Sequence, residues 1–188
     1  MSSFSDLSKL ITTDDVKSFT STILVKNSTG YYTDGHALVI AQNLDIKDRG
    51  VFDKKLKRKG INFPDINEFI PKGKYFSFNF DNLNKYLGLK NNLNQPLYLG
   101  FEDHWGKGEQ EFFCSYNNYC GFGVTFFFNQ SRIIRFLSLL KKDEMRDVSA
   151  VIYPYDKCLC IFAGDYQMVF PSESEYPAAP VEILGNQL

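Results

Sequence analysis

The side chains that could carry out chemistry are His36, His104, Cys114, Cys120, Cys158 and Cys160. A cysteine nucleophile needs a thiolate that a histidine or another cation activates. Cys158 and Cys160 alternate along a predicted strand, so we expect both on one face as small apolar side chains. The sequence has no carboxylate cluster, no phosphate-binding glycine loop and no metal-ligand spacing, and His104 falls in a predicted surface loop. We therefore predict a protein without catalysis, metal or cofactor.

The first of two basic stretches is residues 45–59, in which Lys and Arg outnumber Asp. This composition is typical of a solvated connecting loop, and it also fits a salt-sensitive contact with phosphate groups. The formal net charge of the whole chain is −1, so no overall basic field indicates nucleic acid. Both interpretations of the stretch stay open.

The second basic stretch is a helix predicted from Asn129 to Lys142. Asn129 is a good N-cap, and Ile133 and Phe136 belong to an apolar stripe at helical spacing. The opposite side carries the cations Arg132, Arg135 and Lys142. Such a face is either an ordinary exposed helix surface or a surface that meets a sugar-phosphate backbone without reading bases.

Short strands make up most of the remaining pattern. Phe and Tyr are abundant while Trp occurs once, which favours strands over helical bundles. β-prone runs between turn residues predict strands over 19–25, 96–101, 110–116, 122–128, 148–153, 157–162 and 166–170. Short helices are expected within residues 2–17 and 81–87. The predicted class is α+β, with antiparallel sheets backed by short helices.

The predicted cellular compartment rests on the absence of a signal peptide and of a membrane-spanning run. Residues 1–9 have no apolar core of a signal peptide, and no run approaches the roughly 20 apolar residues that span a bilayer. We expect a soluble cytoplasmic protein with reduced cysteines and no membrane partner.

Two stretches have a strongly determined local shape. Tyr31 to Ile40 is predicted to form two β-strands around Asp34-Gly35, which supplies the positive φ of a tight turn. Residues 62–73 contain Pro64 and Pro71, which fix φ and extend the residues before them. The second stretch should therefore be a stiff crossing between two structural units.

These stretches resemble signature segments of bacterial β sliding clamps, the ring-shaped processivity subunits of DNA polymerase III. Residues 33–38 are similar to the Thr-Asp-Gly-His-x-Leu signature of the family. Phe63-Pro64-Asp65 and Phe69-Ile70-Pro71-Lys72 resemble the segment through which clamps enter their last domain. Residues 166–172 look like a variant of the closing strand Tyr-Val-Val-Met-Pro-Met. The helix after Phe128-Asn129 also resembles an Asn-capped helix of the clamps.

In that family the three segments converge on a hydrophobic cleft for short linear peptides from polymerases, the clamp loader and repair proteins. The resemblance implies peptide-binding roles for Thr33, Gly35, His36, Leu38, Pro64, Phe69, Met168, Phe170 and Pro171. By residue type alone, Leu38, Met168 and Phe170 fit an ordinary core better. Ala37 stands where the family has Arg, and Phe170-Pro171-Ser172 replaces Met-Pro-Met, so the peptide preference is expected to differ.

The resemblance also predicts a shortened domain organisation. Clamps have three similar domains, and this chain is about half as long. We predict a truncated clamp-like domain in residues 1–62, a full clamp-like domain in 63–172 and a flexible tail in 173–188. Six such domains normally encircle DNA, so the chain either assembles as a homo-oligomer of several copies or does not close. Such compaction would suit a phage or a mobile element.

Two functions follow from the resemblance. The first is a processivity or recruitment factor that binds double-stranded DNA without sequence preference through Arg132, Arg135 and Lys142. Its cleft would bind DNA polymerase or other replication proteins, in the bacterial cytoplasm or in the host cell of a phage. The alternative is a clamp-derived regulator or inhibitor that keeps the peptide cleft but never encircles DNA. The oligomeric state separates the two.

Overall fold

The computed structural model describes residues 3–11, 19–78, 96–103, 110–115, 124–140, 147–153 and 156–172. The first part of the chain forms α1 (Phe4–Ser8), β1 (Thr22–Lys26), β2 (Thr29–Thr33), β3 (Leu38–Ala41), β4 (Gly50–Asp53) and β5 (Arg58–Lys59). The second part forms β6 (Phe76–Phe78), β7 (Pro96–Asp103), β8 (Gln110–Ser115), β9 (Val124–Asn129), α2 (Gln130–Leu137), β10 (Val148–Tyr153), β11 (Cys158–Ala163) and β12 (Tyr166–Pro171).

An antiparallel sheet of nine strands, in the order β5-β4-β1-β2-β3-β12-β11-β10-β6, organises the described residues, and β8-β7-β9 form a second sheet. The β1–β2 hairpin turns at Asn27-Ser28, where both residues have the positive φ that suits a two-residue turn. At the centre of the large sheet, β3 pairs with β12. Strands from residues 1–62 and from residues 63–172 therefore belong to one sheet.

One face of the large sheet is covered by the two helices and is termed the helical face. Strand residues Ile23, Tyr32 and Phe170 join Leu7 of α1 and Phe136 of α2 in one hydrophobic core. The ring centroid of Phe136 lies 6.3 Å from that of Tyr32 and 5.5 Å from that of Phe170. Since burying such a side chain contributes about 1.5–3 kcal/mol, this core holds the helices on strands from both halves of the sheet.

Residues 63–70, termed the crossing segment, cover the opposite face of the sheet, which is termed the crossing face. Leu38, Cys160 and Val169 are buried there beneath the segment, and Ile66 of the segment is buried with them. Phe63, Phe69 and Ile70 are half-buried and pack against the same cluster. The segment contains one 3₁₀ turn, Ile66–Glu68, which begins after the extended Asp65 and ends at Phe69.

The interpretation of residues 45–59 as a connecting loop does not hold for β4 and β5, which lie in its second half. Val51 and Phe52 pair with β1, and Phe52 pairs with Arg58 across a hairpin. Asp53 Oδ1 accepts the backbone N–H groups of Lys55 and Lys57, both at 2.9 Å, and so closes the turn. Two apolar residues within a basic run were enough to extend the sheet because they continue its buried surface.

The predicted α+β class with antiparallel sheets and short helices is confirmed. Asn129 Oδ1 accepts the backbone N–H of Arg132 at 3.0 Å, which confirms the predicted cap of α2. The helix ends at Leu137, earlier than predicted. The helix predicted at 81–87, His104, Cys120 and the tail at 173–188 lie outside the described residues. Within the part of the chain that the structure describes, no helix is long and apolar enough to cross a membrane.

Candidate functional site

The turn between β2 and β3 is organised by the carboxylate of Asp34. Its Oδ1 accepts the backbone N–H groups of His36 and Ala37, both at 2.9 Å. Thr33 Oγ1 accepts the backbone N–H of Gly35 at 3.0 Å. Gly35 has a φ of 88°, which residues with a side chain rarely adopt. The tight turn is present as predicted, and the side chain of His36 is exposed at its exit.

Asp34 also connects this turn to α2. The Nε–H of Arg132 donates to Asp34 Oδ2 at 2.9 Å, and the two side chains are only 20% and 10% exposed. One turn further along α2, Arg135 donates from Nη2 to the carbonyl oxygen of Leu10 and lies 3.5 Å from the hydroxyl of Tyr32. Both arginines predicted to contact DNA are therefore engaged within the chain.

Strand register aligns apolar residues from four strands on the crossing face. Residues directly opposite each other in antiparallel neighbours share a face of the sheet. Leu38 lies opposite Val169, Val169 opposite Cys160, and Cys160 opposite Val151. All four are buried, and Phe69 of the crossing segment packs against their cluster. This row forms the floor beneath the segment.

A second row, two residues along the strands, forms an accessible rim. Pro171 lies opposite Cys158, and Cys158 lies opposite Tyr153. Pro171 and Tyr153 are half-buried, and the ring centroid of Tyr153 lies 5.5 Å from that of the exposed Tyr75. Burial raises the pKa of the Tyr153 phenol above its ordinary value of 10.0. Apolar anchors of short peptides bind to surfaces of this composition.

Two carboxylates hold the crossing segment in position. Asp65 Oδ1 accepts the backbone N–H of Asn67 at 3.0 Å and begins the 3₁₀ turn. At the other end, Asp156 Oδ2 accepts the backbone N–H groups of Lys72 and Gly73 at 3.0 and 2.8 Å. Asp156 lies between β10 and β11, so the segment is tied to the strands that form the rim.

Seven of the nine residues predicted for the peptide site lie on or beside the crossing face. Thr33, Leu38 and Pro171 lie on it by register. Pro64 and Phe69 belong to the segment that covers it, while Gly35 and His36 form the adjoining turn.

Met168 and Phe170 lie on the opposite, helical face. They are 0% and 3% exposed and pack in the core that contains Phe136. Successive residues of a strand point to opposite faces, so Val169 takes the position beside Leu38. The sequence analysis did not name Val169. Its two-residue spacing from Pro171 indicates that both lie on one face of β12. Hydrophobicity does not reveal this, because Met168 and Phe170 on either side of Val169 are apolar too.

The thiols of Cys158 and Cys160 lie together on the crossing face, as predicted. A side-chain hydrogen bond with Cys160, together with burial, raises the pKa of the Cys158 thiol well above its ordinary value of 9.0. A thiol held protonated in this way is a poor nucleophile. Among the residues that the structure describes, no group of three His, Cys, Asp or Glu side chains is arranged to hold a metal ion.

Comparison with solved structures finds the same fold in sliding clamps. DNA polymerase III subunit β from Borrelia burgdorferi is similar with a TM-score of 0.58 and 14% identity, over 92% of this chain and 62% of that one. A DNA polymerase sliding clamp from Pseudomonas aeruginosa is similar with a TM-score of 0.59 and 15% identity, over 89% and 62%. No protein-family model matches the sequence, and no curated protein is similar to it in sequence.

The chain therefore has the fold of DNA polymerase III β sliding clamps. It spans about 62% of the length of the clamps that it matches. The predicted resemblance is confirmed at the level of the fold, which was inferred from the three signature segments.

Proposed function

We propose that this chain is a sliding-clamp-like processivity or recruitment factor, without catalytic activity, that binds short linear peptides of replication proteins on the crossing face. The observation that carries the proposal is the pairing of β3 with β12, through which Leu38 and Val169 meet beneath Phe69. The clamp fold supports a role in DNA replication. The predicted segments meet on a surface that is apolar at its floor and accessible at its rim.

Peptide binding would use the rim rather than the buried floor. A leucine or phenylalanine of the peptide would desolvate against Pro171, Tyr153 and Phe69, and each well-buried anchor contributes about 1.5–3 kcal/mol. In this proposal His36 and the Tyr153 hydroxyl orient polar groups of the peptide. In this proposal Met168 and Phe170 support the site from behind as core residues.

The proposal includes double-stranded DNA as a partner that is bound without sequence preference. Because six clamp-like domains normally encircle DNA, the proposal includes assembly of several copies as a homo-oligomer. Lys142, the third cation predicted for DNA, lies outside the described residues. The setting would be the bacterial cytoplasm, or the host cell if a phage encodes the protein.

Fluorescence anisotropy with a labelled clamp-binding peptide from a bacterial replicative polymerase tests the peptide site. We expect Phe69→Ala and Tyr153→Ala each to weaken binding about tenfold, which corresponds to about 1.4 kcal/mol. The matched control is Leu56→Ala, which truncates a 50% exposed side chain away from the crossing face and should not change the affinity. Equal affinities for all these proteins would refute the site.

A second candidate is a regulator that keeps the peptide site and never encircles DNA. The observation that favours it is that Arg132 and Arg135 are both engaged within the chain. Light scattering with and without primed DNA distinguishes the candidates. A closed multimer retained on DNA supports the processivity factor, whereas a monomer with peptide affinity and no DNA affinity supports the regulator.

A further inference from the structure

The hairpin from Asp53 to Lys59, termed the basic hairpin, concentrates positive charge at one end of the large sheet. Five of the six residues from 54 to 59 are Lys or Arg, and all six are exposed. The sheet order puts β5 at the edge, with β4, β1 and β2 between it and β3, the nearest strand of the floor. The basic hairpin is therefore separate from the proposed peptide site.

The single acid of the basic hairpin orders its backbone and leaves most of its charge available. Asp53 Oδ1 accepts the backbone N–H groups of Lys55 and Lys57, and Asp53 Oδ2 pairs with Lys59 Nζ at 3.0 Å. Among the described residues, the side chains of Lys54, Lys55 and Lys57 form no salt bridge. A fixed loop with three such ammonium groups is a preformed surface for anions.

Arg58 extends this charge onto the helical face. It lies opposite Phe52, whose ring packs on that face at 6.4 Å from the ring centroid of Phe4. A Cβ atom at Gly50 would be only 3.0 Å from Arg58 Nε, so the glycine provides the space over which the Arg58 side chain lies. The base of the hairpin is thus anchored in the core while its cations remain exposed.

The arginines of α2 contrast with this arrangement. Arg132 pairs with Asp34, and Arg135 is bound to the carbonyl oxygen of Leu10. A phosphate would have to compete with these contacts, and losing a partly buried partner costs about 1–3 kcal/mol. Lys54, Lys55 and Lys57 bear no such cost.

We propose that the basic hairpin binds the sugar-phosphate backbone of double-stranded DNA. This proposal rests on the proposed function and deepens it, because it names the residues that contact DNA. Ammonium groups act as point charges that suit phosphates and do not discriminate bases. Anionic lipid is less well matched, since Leu56 is the only large apolar side chain that the hairpin exposes and interfacial binding needs a broad apolar face.

Binding of the full chain to a fluorescent 20-base-pair duplex, measured over a series of salt concentrations, tests the proposal. We expect wild-type affinity to fall steeply with salt. The triple variant Lys54→Gln, Lys55→Gln, Lys57→Gln should bind more weakly, and its log–log salt slope should be smaller by about 2 to 3, since each phosphate contact contributes about 0.9. Such a result supports the proposal.

The matched control is Lys26→Gln, Lys72→Gln, Lys74→Gln, which removes the same charge from three exposed lysines outside the hairpin. It should retain the wild-type slope. The proposal is overturned if the hairpin variant keeps wild-type affinity and slope, if the control loses as much, or if wild type does not bind the duplex at low salt. Tighter binding to phosphatidylglycerol vesicles than to the duplex at equal salt also overturns it.

Peptide anisotropy separates this proposal from the proposed function. The hairpin variant should bind the polymerase peptide as wild type does, because the basic hairpin and the crossing face lie at different parts of the sheet. Loss of DNA affinity with intact peptide affinity supports both proposals. Intact DNA affinity in the hairpin variant with normal peptide binding overturns the hairpin proposal alone.

Discussion

Arg132 and Asp34 are 98 residues apart in sequence, and the Nε–H of Arg132 donates a 2.9 Å hydrogen bond to Asp34 Oδ2. The contact joins the first turn of α2 to the turn that presents His36. Because Asp34 Oδ1 accepts two backbone N–H groups of the same turn, one carboxylate fixes both the local loop and its position against the helix.

Asp34→Asn should lower the free energy of unfolding by about 1–3 kcal/mol, because a shielded guanidinium loses its charged partner. The amide oxygen of Asn can still accept the N–H groups of His36 and Ala37, so the substitution isolates the contact with Arg132. Urea denaturation measures the loss. Asp48→Asn, at an exposed carboxylate, is the control and should change little. Equal stability of both variants would mean that the ion pair contributes nothing.

Gly30→Ala should destabilise the protein by about 1–3 kcal/mol through overpacking. The added Cβ would be 2.9 Å from Leu7 Cδ2 and 3.0 Å from Leu44 Cδ2, and both leucines are buried. Thermal unfolding monitored by circular dichroism measures the effect. Gly60→Ala meets no atom within 4 Å and serves as the control. Unchanged stability in Gly30→Ala would indicate that α1 is loosely docked on β2.

Phe170→Leu should reduce stability by about 1–3 kcal/mol and leave peptide affinity unchanged. The substitution removes the ring that packs 5.5 Å from the Phe136 ring on the helical face. Denaturation and peptide anisotropy on the same preparation separate the two quantities. A variant of normal stability with weakened peptide binding would instead return Phe170 to the peptide site that its sequence motif predicts.

Cys158 should react slowly with iodoacetamide at pH 8 in the folded protein and rapidly in urea, as measured by mass spectrometry. The side-chain hydrogen bond with Cys160, and burial, raise the pKa of the folded Cys158 thiol. The unfolded chain releases this proton at lower pH than the folded chain does. The contribution of the thiol to stability is therefore complete below pH 9.0, its ordinary pKa, and declines as the pH rises above it.

Cys158→Ala is the control for this pH dependence. It removes the titrating thiol, so its stability should decline less between pH 8 and pH 10 than that of wild type. Fast labelling of Cys158 in the folded protein at pH 8 would contradict the buried, hydrogen-bonded thiol.

Local chemistry accounts for the parts of the fold that the sequence predicts well. Asp34-Gly35 indicates its turn because a carboxylate can accept backbone N–H groups and glycine tolerates positive φ. Asn129 marks the start of α2 for a similar reason. Pro64 and Pro71 indicate a segment without a strand or an α-helix because they restrict their own φ and the residues before them, and residues 61–75 contain neither element.

Tertiary contacts account for what the sequence does not reveal. Met168, Val169 and Phe170 are all apolar and all buried, since β12 is covered on both faces, so no alternation indicates which residue lies beside Leu38. The basic side chains of α2 predict an exposed cationic face. In the folded chain, Arg132 donates to Asp34 and Arg135 donates to the carbonyl oxygen of Leu10. These two arginines therefore connect parts of the fold, which their positions in the sequence do not reveal.

Because β3 pairs with β12, the newly made chain cannot complete the large sheet until β12 has left the ribosome. Asn43, just after β3, bonds to Asp165, just before β12, across 122 residues. At about 5–20 residues per second, β12 follows β3 from the ribosome by about 6 to 25 seconds. During that interval the edge of β3 has no native neighbour, and an unpaired strand edge is a template for aggregation. The yield of native protein should therefore depend on translation speed and on chaperones that shield this edge.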